Sequence, residues 1–203
     1  ARESALDLLI TRGEKSLQEL PPRAMIATGS PRRVAQILGT RPDLQLVDIR
    51  GNIDTRLRKL RENASWSGII LAEAGLNRLR PDLQGLVATP LNSVTMLPAP
   101  GQGSLGIQMR ENDSRIDLLK NLDCFQTRLH VIAERAFLQA LGGGCAQPIA
   151  ALAQNVGDEL QLEGFWSDGK TKNLRDKVVG SPQNPHALGT LLAKKIISSS
   201  ETP

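Results

Sequence analysis

Tyrosine is absent from this 203-residue chain, and aromatic residues make up only 2% of it. The flat stacking surfaces on which single-strand nucleic-acid binders lay bases are therefore missing, although the net charge is +4. Nucleic acid is not the expected partner. Cysteine is nearly absent too: Cys124 and Cys145 are too few for a disulfide framework and lack the spacing of a zinc site. His130 and His186 stand alone, so no metal centre is expected. No apolar run approaches the roughly 18 residues of a membrane span, and the N-terminus has no basic-then-apolar leader pattern. The expectation is a cytoplasmic protein with no membrane partner. The chain opens on Ala1 and enters Arg2-Glu3-Ser4-Ala5-Leu6-Asp7-Leu8 with no recognisable start of a domain, which reads as a chain whose upstream part is missing.

What is present is arginine, unevenly placed. Residues 1–80 carry a net charge of +5 and the remainder −1, and 12 of the 14 cations in the first part are Arg. A planar guanidinium pairs bidentately with carboxylate or phosphate, so a small, densely anionic ligand fits this composition.

The hydrophobic pattern alternates between strand-like and helix-like segments, the mark of an α/β fold. A strand is expected at 24–28, then a helix with Ser30 as cap and Pro31 at its first position. A second strand at 44–49 leads through Arg50-Gly51-Asn52 into a basic helix at 53–62. A third strand at 68–72 leads into a helix through Gly75 and Arg78. Both arginine-bearing turns thus fall where strands deliver the chain to helix N-termini, the usual ligand edge of open α/β sheets. Residues 86–103 loosen into a Pro- and Gly-containing crossing. The stretch 104–109 alternates like a strand and 114–122 like a helix, too little for a domain. A helix at 125–141, with Asp123 as a candidate cap and Cys124 as a core residue, precedes three antiparallel strands at 149–156, 159–166 and 173–179. A last helix covers about 185–198. Between them lies Leu141-Gly142-Gly143-Gly144-Cys145-Ala146-Gln147-Pro148, a glycine loop presenting one thiol, a setting that a buried structural cysteine rarely needs.

An ordered series of these segments resembles one family. Thr28-Gly29-Ser30-Pro31-Arg32-Arg33 is similar to a Ser-Ser-Leu-Arg-Arg turn, and Arg50-Gly51-Asn52-Ile53-Asp54-Thr55-Arg56 to an Arg-Gly-Asn-x-x-Thr-Arg motif. The series continues with Leu71-Ala72-Glu73-Ala74-Gly75-Leu76-Asn77-Arg78, Pro100-Gly101-Gln102-Gly103, Glu134-Arg135-Ala136-Phe137 and Gly143-Gly144-Cys145-Ala146-Gln147-Pro148. Each piece alone is weak, but six in order identify a resemblance to the porphobilinogen deaminases, the hydroxymethylbilane synthases of tetrapyrrole (heme) biosynthesis.

The resemblance implies a periplasmic-binding-protein-like α/β domain 2 at 1–94, and a crossing with the returning strand and helix of domain 1 at 95–122. It also implies a small C-terminal α/β domain at 123–203 with a three-stranded antiparallel sheet. It implies a monomeric transferase that condenses four porphobilinogen units, with loss of ammonia, onto a dipyrromethane cofactor held by Cys145 through a thioether. Thr28, Ser30, Arg32, Arg33, Gly75, Arg78 and Gln102 would bind the cofactor, while Arg50, Asn52 and Arg56 would bind porphobilinogen and the pyrrole-chain intermediates. Gln102 and its neighbours serve equally well as a plain domain crossing. The family's catalytic aspartate lies in a His-Ser-x-Lys-Asp segment that this sequence lacks, and none of Asp48, Asp54 or Glu73 is promoted to its role. Gly29 stands for a serine and Glu73 for an apolar residue. The expectation is therefore a chain incomplete for catalysis, with a missing N-terminal segment that a second chain could supply in trans. The alternative is a non-catalytic anion-binding module.

Overall fold

The structure, a computed structural model, describes residues 1–13, 16–144 and 147–201, with the side chain of residue 201 left aside. Its first unit is a mixed five-stranded sheet in the order β3-β2-β4-β1-β5, and its second a three-stranded antiparallel sheet, β6-β7-β8. In the first, β1 (Asp7–Thr11) precedes β2 (Met25–Ala27), α1 (Pro31–Thr40), β3 (Gln45–Val47), α2 (Ile53–Glu62), β4 (Trp66–Ala72), α3 (Glu73–Leu79) and β5 (Val87–Leu91). The β-α-β rhythm makes β2 parallel to both β3 and β4, as helical crossovers require.

β1 lies antiparallel between β4 and β5. All five of its residues are buried, and successive side chains divide between two cores. Leu8 and Ile10 join Leu57, Leu60 and Leu76 beneath α2 and α3, whereas Leu9 joins Ile37 and Met96 on the α1 side. The sequence pattern marks neither β1 nor β5. β1 is apolar on both faces, so it has no alternation to read. β5 carries Pro90, which an edge strand tolerates because one row of its backbone groups needs no partner.

α4 (Ile116–Lys120) and α5 (Phe125–Ala140) lead to β6 (Ile149–Val156), β7 (Glu159–Ser167), β8 (Asn173–Gly180) and α6 (Pro185–Glu201). One face of this sheet packs on α5 and α6 through Phe137, Leu162, Leu188 and Leu192. Gly189 lets α6 lie close against α5: a Cβ there would lie 2.4 Å from the Ala133 carbonyl oxygen. The other face, through Ala150, Leu152 and Phe165, meets Leu97 and Ala35 of the first unit.

Four local expectations are corrected. Residues 104–109 form no strand; Leu105 and Ile107 are exposed, and their alternation finds no partner strand among the described residues. The expected helix at 114–122 shrinks to α4, which buries no residue. Asp123 does not cap α5: Cys124 holds the N-cap position, and Asp123 pairs instead with Arg128 at 3.3 Å. Nor is Cys124 a core residue. It is half-buried, with Sγ accepting the Thr127 hydroxyl at 3.2 Å, a bond that lowers the thiol pKa.

The units are bolted together by Glu134 on α5, whose side chain is fully buried. Arg2 grips it with both arms, at 2.7 and 3.0 Å, and the Gly101 and Ala153 amides donate to it at 2.6 and 2.9 Å. Alongside, the Glu3 amide donates to the Gly103 carbonyl at 3.1 Å and Arg2 Nε to the Gln102 carbonyl at 2.8 Å. Ser4 donates its hydroxyl to Glu73, which gives that unexpected acid a place.

Candidate anion-binding cleft

Arg32 and Arg33 start α1, which faces them away from solvent; they are 4% and 8% exposed. Two cations at this depth need counter-charge, and Asp7 of β1 supplies it to both. Its Oδ1 accepts Arg33 Nη2 at 2.7 Å, while Arg32 Nη2 pairs with Oδ2 at 2.9 Å. Arg33 Nη1 also donates to the Ile70 carbonyl at 2.9 Å, and Arg32 to that of Leu97. Burial pushes the Asp7 carboxyl up, but the charges and hydrogen bonds of the two arginines outweigh it and hold the carboxyl below its usual range. Burial lowers the Arg32 pKa. Arg33 Nε is buried without a partner.

Gln102 closes the cluster from the crossing. Its amide nitrogen donates to Asp7 Oδ1 at 3.0 Å and to the Ala5 carbonyl at 2.6 Å, and its oxygen faces Arg32 Nη2 at 3.4 Å. Gln36 holds the same crossing at Leu97, accepting its amide at 2.8 Å and donating to its carbonyl at 3.1 Å.

The second arginine turn is more open. Arg50 is exposed and pairs with Asp48 at 3.0 Å. Arg56 is half-buried and donates Nε to the Gly51 carbonyl at 2.8 Å. Its pKa is lowered by burial and by the positive charges of Arg33 and Arg50. The two turns therefore converge electrically. Asn52 spends its side-chain oxygen on the Thr55 amide at 2.8 Å, capping α2.

Gly29 packs under Asp48: a Cβ at residue 29 would lie 2.6 Å from Asp48 Oδ1 and 3.0 Å from the Ile49 carbonyl oxygen. The two residues therefore share one small volume. Thr28 is buried, and its hydroxyl oxygen accepts the Ser30 amide at 3.3 Å; Ser30 holds the α1 N-cap position without a side-chain cap bond. Two further expected site residues lie on α3. Arg78 is exposed on α3, where its charge acts on Glu3. Gly75 packs against α2, where a Cβ would lie 2.7 Å from Ile53 Cδ1.

A cleft of 960 Å³ opens beside the first turn, lined by Thr28, Gly29, Ser30 and Asp48 on one side and by Pro148 and the 167–171 hairpin on the other. Cys145 lies outside the described residues. Among the described residues, no group of three or more His, Cys, Asp or Glu could hold a metal ion, and no helix is long and apolar enough to cross a membrane.

The sequence matches a family model described as porphobilinogen deaminase, dipyromethane cofactor binding domain, over residues 1–118. A second, the porphobilinogen deaminase C-terminal domain, matches residues 128–198. The chain belongs to the porphobilinogen deaminase family. Among curated members, the porphobilinogen deaminase of Clostridioides difficile is 39% identical, covering 98% of this chain and 66% of the relative. That of a Roseiflexus species is 42% identical over 97% of this chain and 64% of the relative, and that of Alkaliphilus metalliredigens 43% over 97% and 62%. The chain thus spans slightly under two thirds of these relatives' length.

Sequence reasoning missed Asp7 and Glu134 as keystones of the porphobilinogen deaminase fold, though both left a signal. Asp7 is the one charge inside the apolar run 5–10, and Glu134 falls on the helix face of Leu129, Ala133 and Phe137.

Proposed function

We propose that this chain carries the cofactor-holding and substrate-holding parts of a hydroxymethylbilane synthase, which condenses porphobilinogen stepwise with release of ammonia in tetrapyrrole biosynthesis. The observation that carries the reading is the excess of arginine over carboxylate at the two strand-to-helix turns. Arg32 and Arg33 stand at one and Arg50 and Arg56 at the other, the charges of Arg33 and Arg50 act on Arg56, and Asp7 and Asp48 are the carboxylates that pair with them among the described residues. A ligand with an acetate and a propionate on every ring supplies the missing anions.

The residues present fit a dipyrromethane. Pro148, three residues after Cys145 in the sequence, lines the cleft opposite Thr28 and Ser30. Arg33 Nε is a buried donor still lacking an acceptor. On this reading Cys145 anchors the cofactor, Arg32 and Arg33 take its carboxylates with Ser30 and Thr28 beside them, and Gln102 ties that pair to the crossing. Arg50 in the turn and Arg56 on α2, with Asn52 fixing the start of that helix, hold the incoming porphobilinogen. Bound there, the dipyrromethane supplies an electron-rich pyrrole carbon to which units are joined. The arginines contribute charge-assisted hydrogen bonds, about twice as strong as neutral ones, and these orient reacting rings rather than exchange protons with them. Domain boundaries near residues 94 and 122, and a cytoplasmic location, belong to the same reading.

The test is the intact mass of the purified chain before and after incubation with porphobilinogen or hydroxymethylbilane. An increment of two porphobilinogen units less two ammonia, absent from Cys145→Ser, is expected. An unchanged mass would overturn the assignment in favour of a non-catalytic anion-binding module.

A further inference from the structure

We propose that Asp7 is the resident counter-ion of the Arg32–Arg33 pair, keeping the place of a ligand carboxylate and setting how tightly the pair takes anions. The proposal rests on the reading that this pair faces ligand carboxylates.

Four observations carry it. Asp7 is fully buried within a strand whose neighbours are Leu, Ile and Thr, where a charge is costly unless it is paired, so its position is tied to that of the two arginines. It binds both arginines at once, at 2.7 and 2.9 Å, as an incoming carboxylate would. Arg33 Nε, buried, donates no hydrogen bond, so the pair retains one unused donor. Gln102 holds Oδ1 from the opposite side at 3.0 Å, so the carboxylate is tethered to the crossing as well as to the arginines. One carboxylate between two guanidinium groups leaves a net positive charge at depth, and an arriving anion both completes the cluster and competes with Asp7 for its donors.

The experiment compares thermal melting and glutarate binding of the full 203-residue chain with its Asp7→Asn variant, both carrying Cys145→Ser, in sodium glutarate against sodium chloride at equal ionic strength. Asparagine keeps the shape and removes the charge. The variant is expected to melt below the parent in chloride, to regain most of the loss in glutarate, and to bind glutarate roughly tenfold tighter because the competing anion is gone. Adding Arg33→Gln should abolish that gain. Equal glutarate responses in parent and variant would show that Asp7 is merely structural and sink the proposal. Should Asp7→Asn not fold, Asp7→Glu decides: its charge reaches further into the pair and should weaken glutarate binding several-fold, whereas unchanged binding overturns the idea. Because Cys145 is replaced throughout, the outcome is independent of covalent cofactor assembly, and failure of either idea is read separately.

Discussion

Arg33 illustrates how a ligand-binding side chain can also be part of the core. Its guanidinium ties α1 to the Ile70 carbonyl of β4 and to Asp7 of β1, so removing it strands a buried carboxylate as well as a backbone acceptor. Arg33→Ala is expected to cost about 3–5 kcal/mol in urea unfolding, the range for breaking one side of a buried ion pair. Asp7 contributes a pH dependence with a definite sign. Its folded pKa lies below its unfolded value, so its contribution is complete above about pH 4 and is lost as pH falls through the folded value. The groups facing it are Arg32, Arg33 and Gln102, none of which titrates in that range. The parent chain should therefore lose more stability than Asp7→Asn as pH is lowered from about 5 to about 2.5, followed by the urea midpoint. At the second turn, Gly29→Ser should cost about 1 kcal/mol by displacing the Asp48 carboxylate, and adding Asp48→Ser should return most of it. A double-mutant cycle read by thermal denaturation measures that coupling.

Between elements, the tightest approach is α5 against α6 at Gly189, where the obstacle is main chain as well as a methyl group. Gly189→Ala is expected to lower stability by about 1–3 kcal/mol, measured by denaturant unfolding, because helix backbones cannot yield as a flexible side chain does. The C-terminal strands and the helices 31–40 and 53–62 were legible in the sequence because Gly-Asp and Asp-Gly turns, Pro31 and the 53, 57, 60 spacing are local signals. β1 and β5 were not. Their identity depends on pairing with β4 and with each other across some 60 to 80 residues, which no local pattern encodes. The candidate site divides the same way. Its arginines are visible as turn motifs, whereas the carboxylate that neutralises them arrives from a strand that only the fold brings near.

For the whole molecule, Glu134 decides whether the two units behave as one. Four donors from three different segments converge on its two oxygens, and none retains its ionic strength with a neutral acceptor. Glu134→Gln should separate a single unfolding transition into two, with the unit of α5, α6 and the three-stranded sheet and the unit of the five-stranded sheet melting at different denaturant concentrations, as followed by hydrogen exchange. The seam has a mechanical consequence as well. Residues 2–5 and 101–103 run side by side across it, joined by Glu3 to Gly103, Arg2 to Gln102 and Gln102 to Ala5. Two adjacent straps fixed along one line act like a double row of stitches: they hold the edges in register and resist shear across the seam. The 960 Å³ cleft, walled by Thr28 and Ser30 on one side and by the 167–171 hairpin on the other, keeps those walls facing each other.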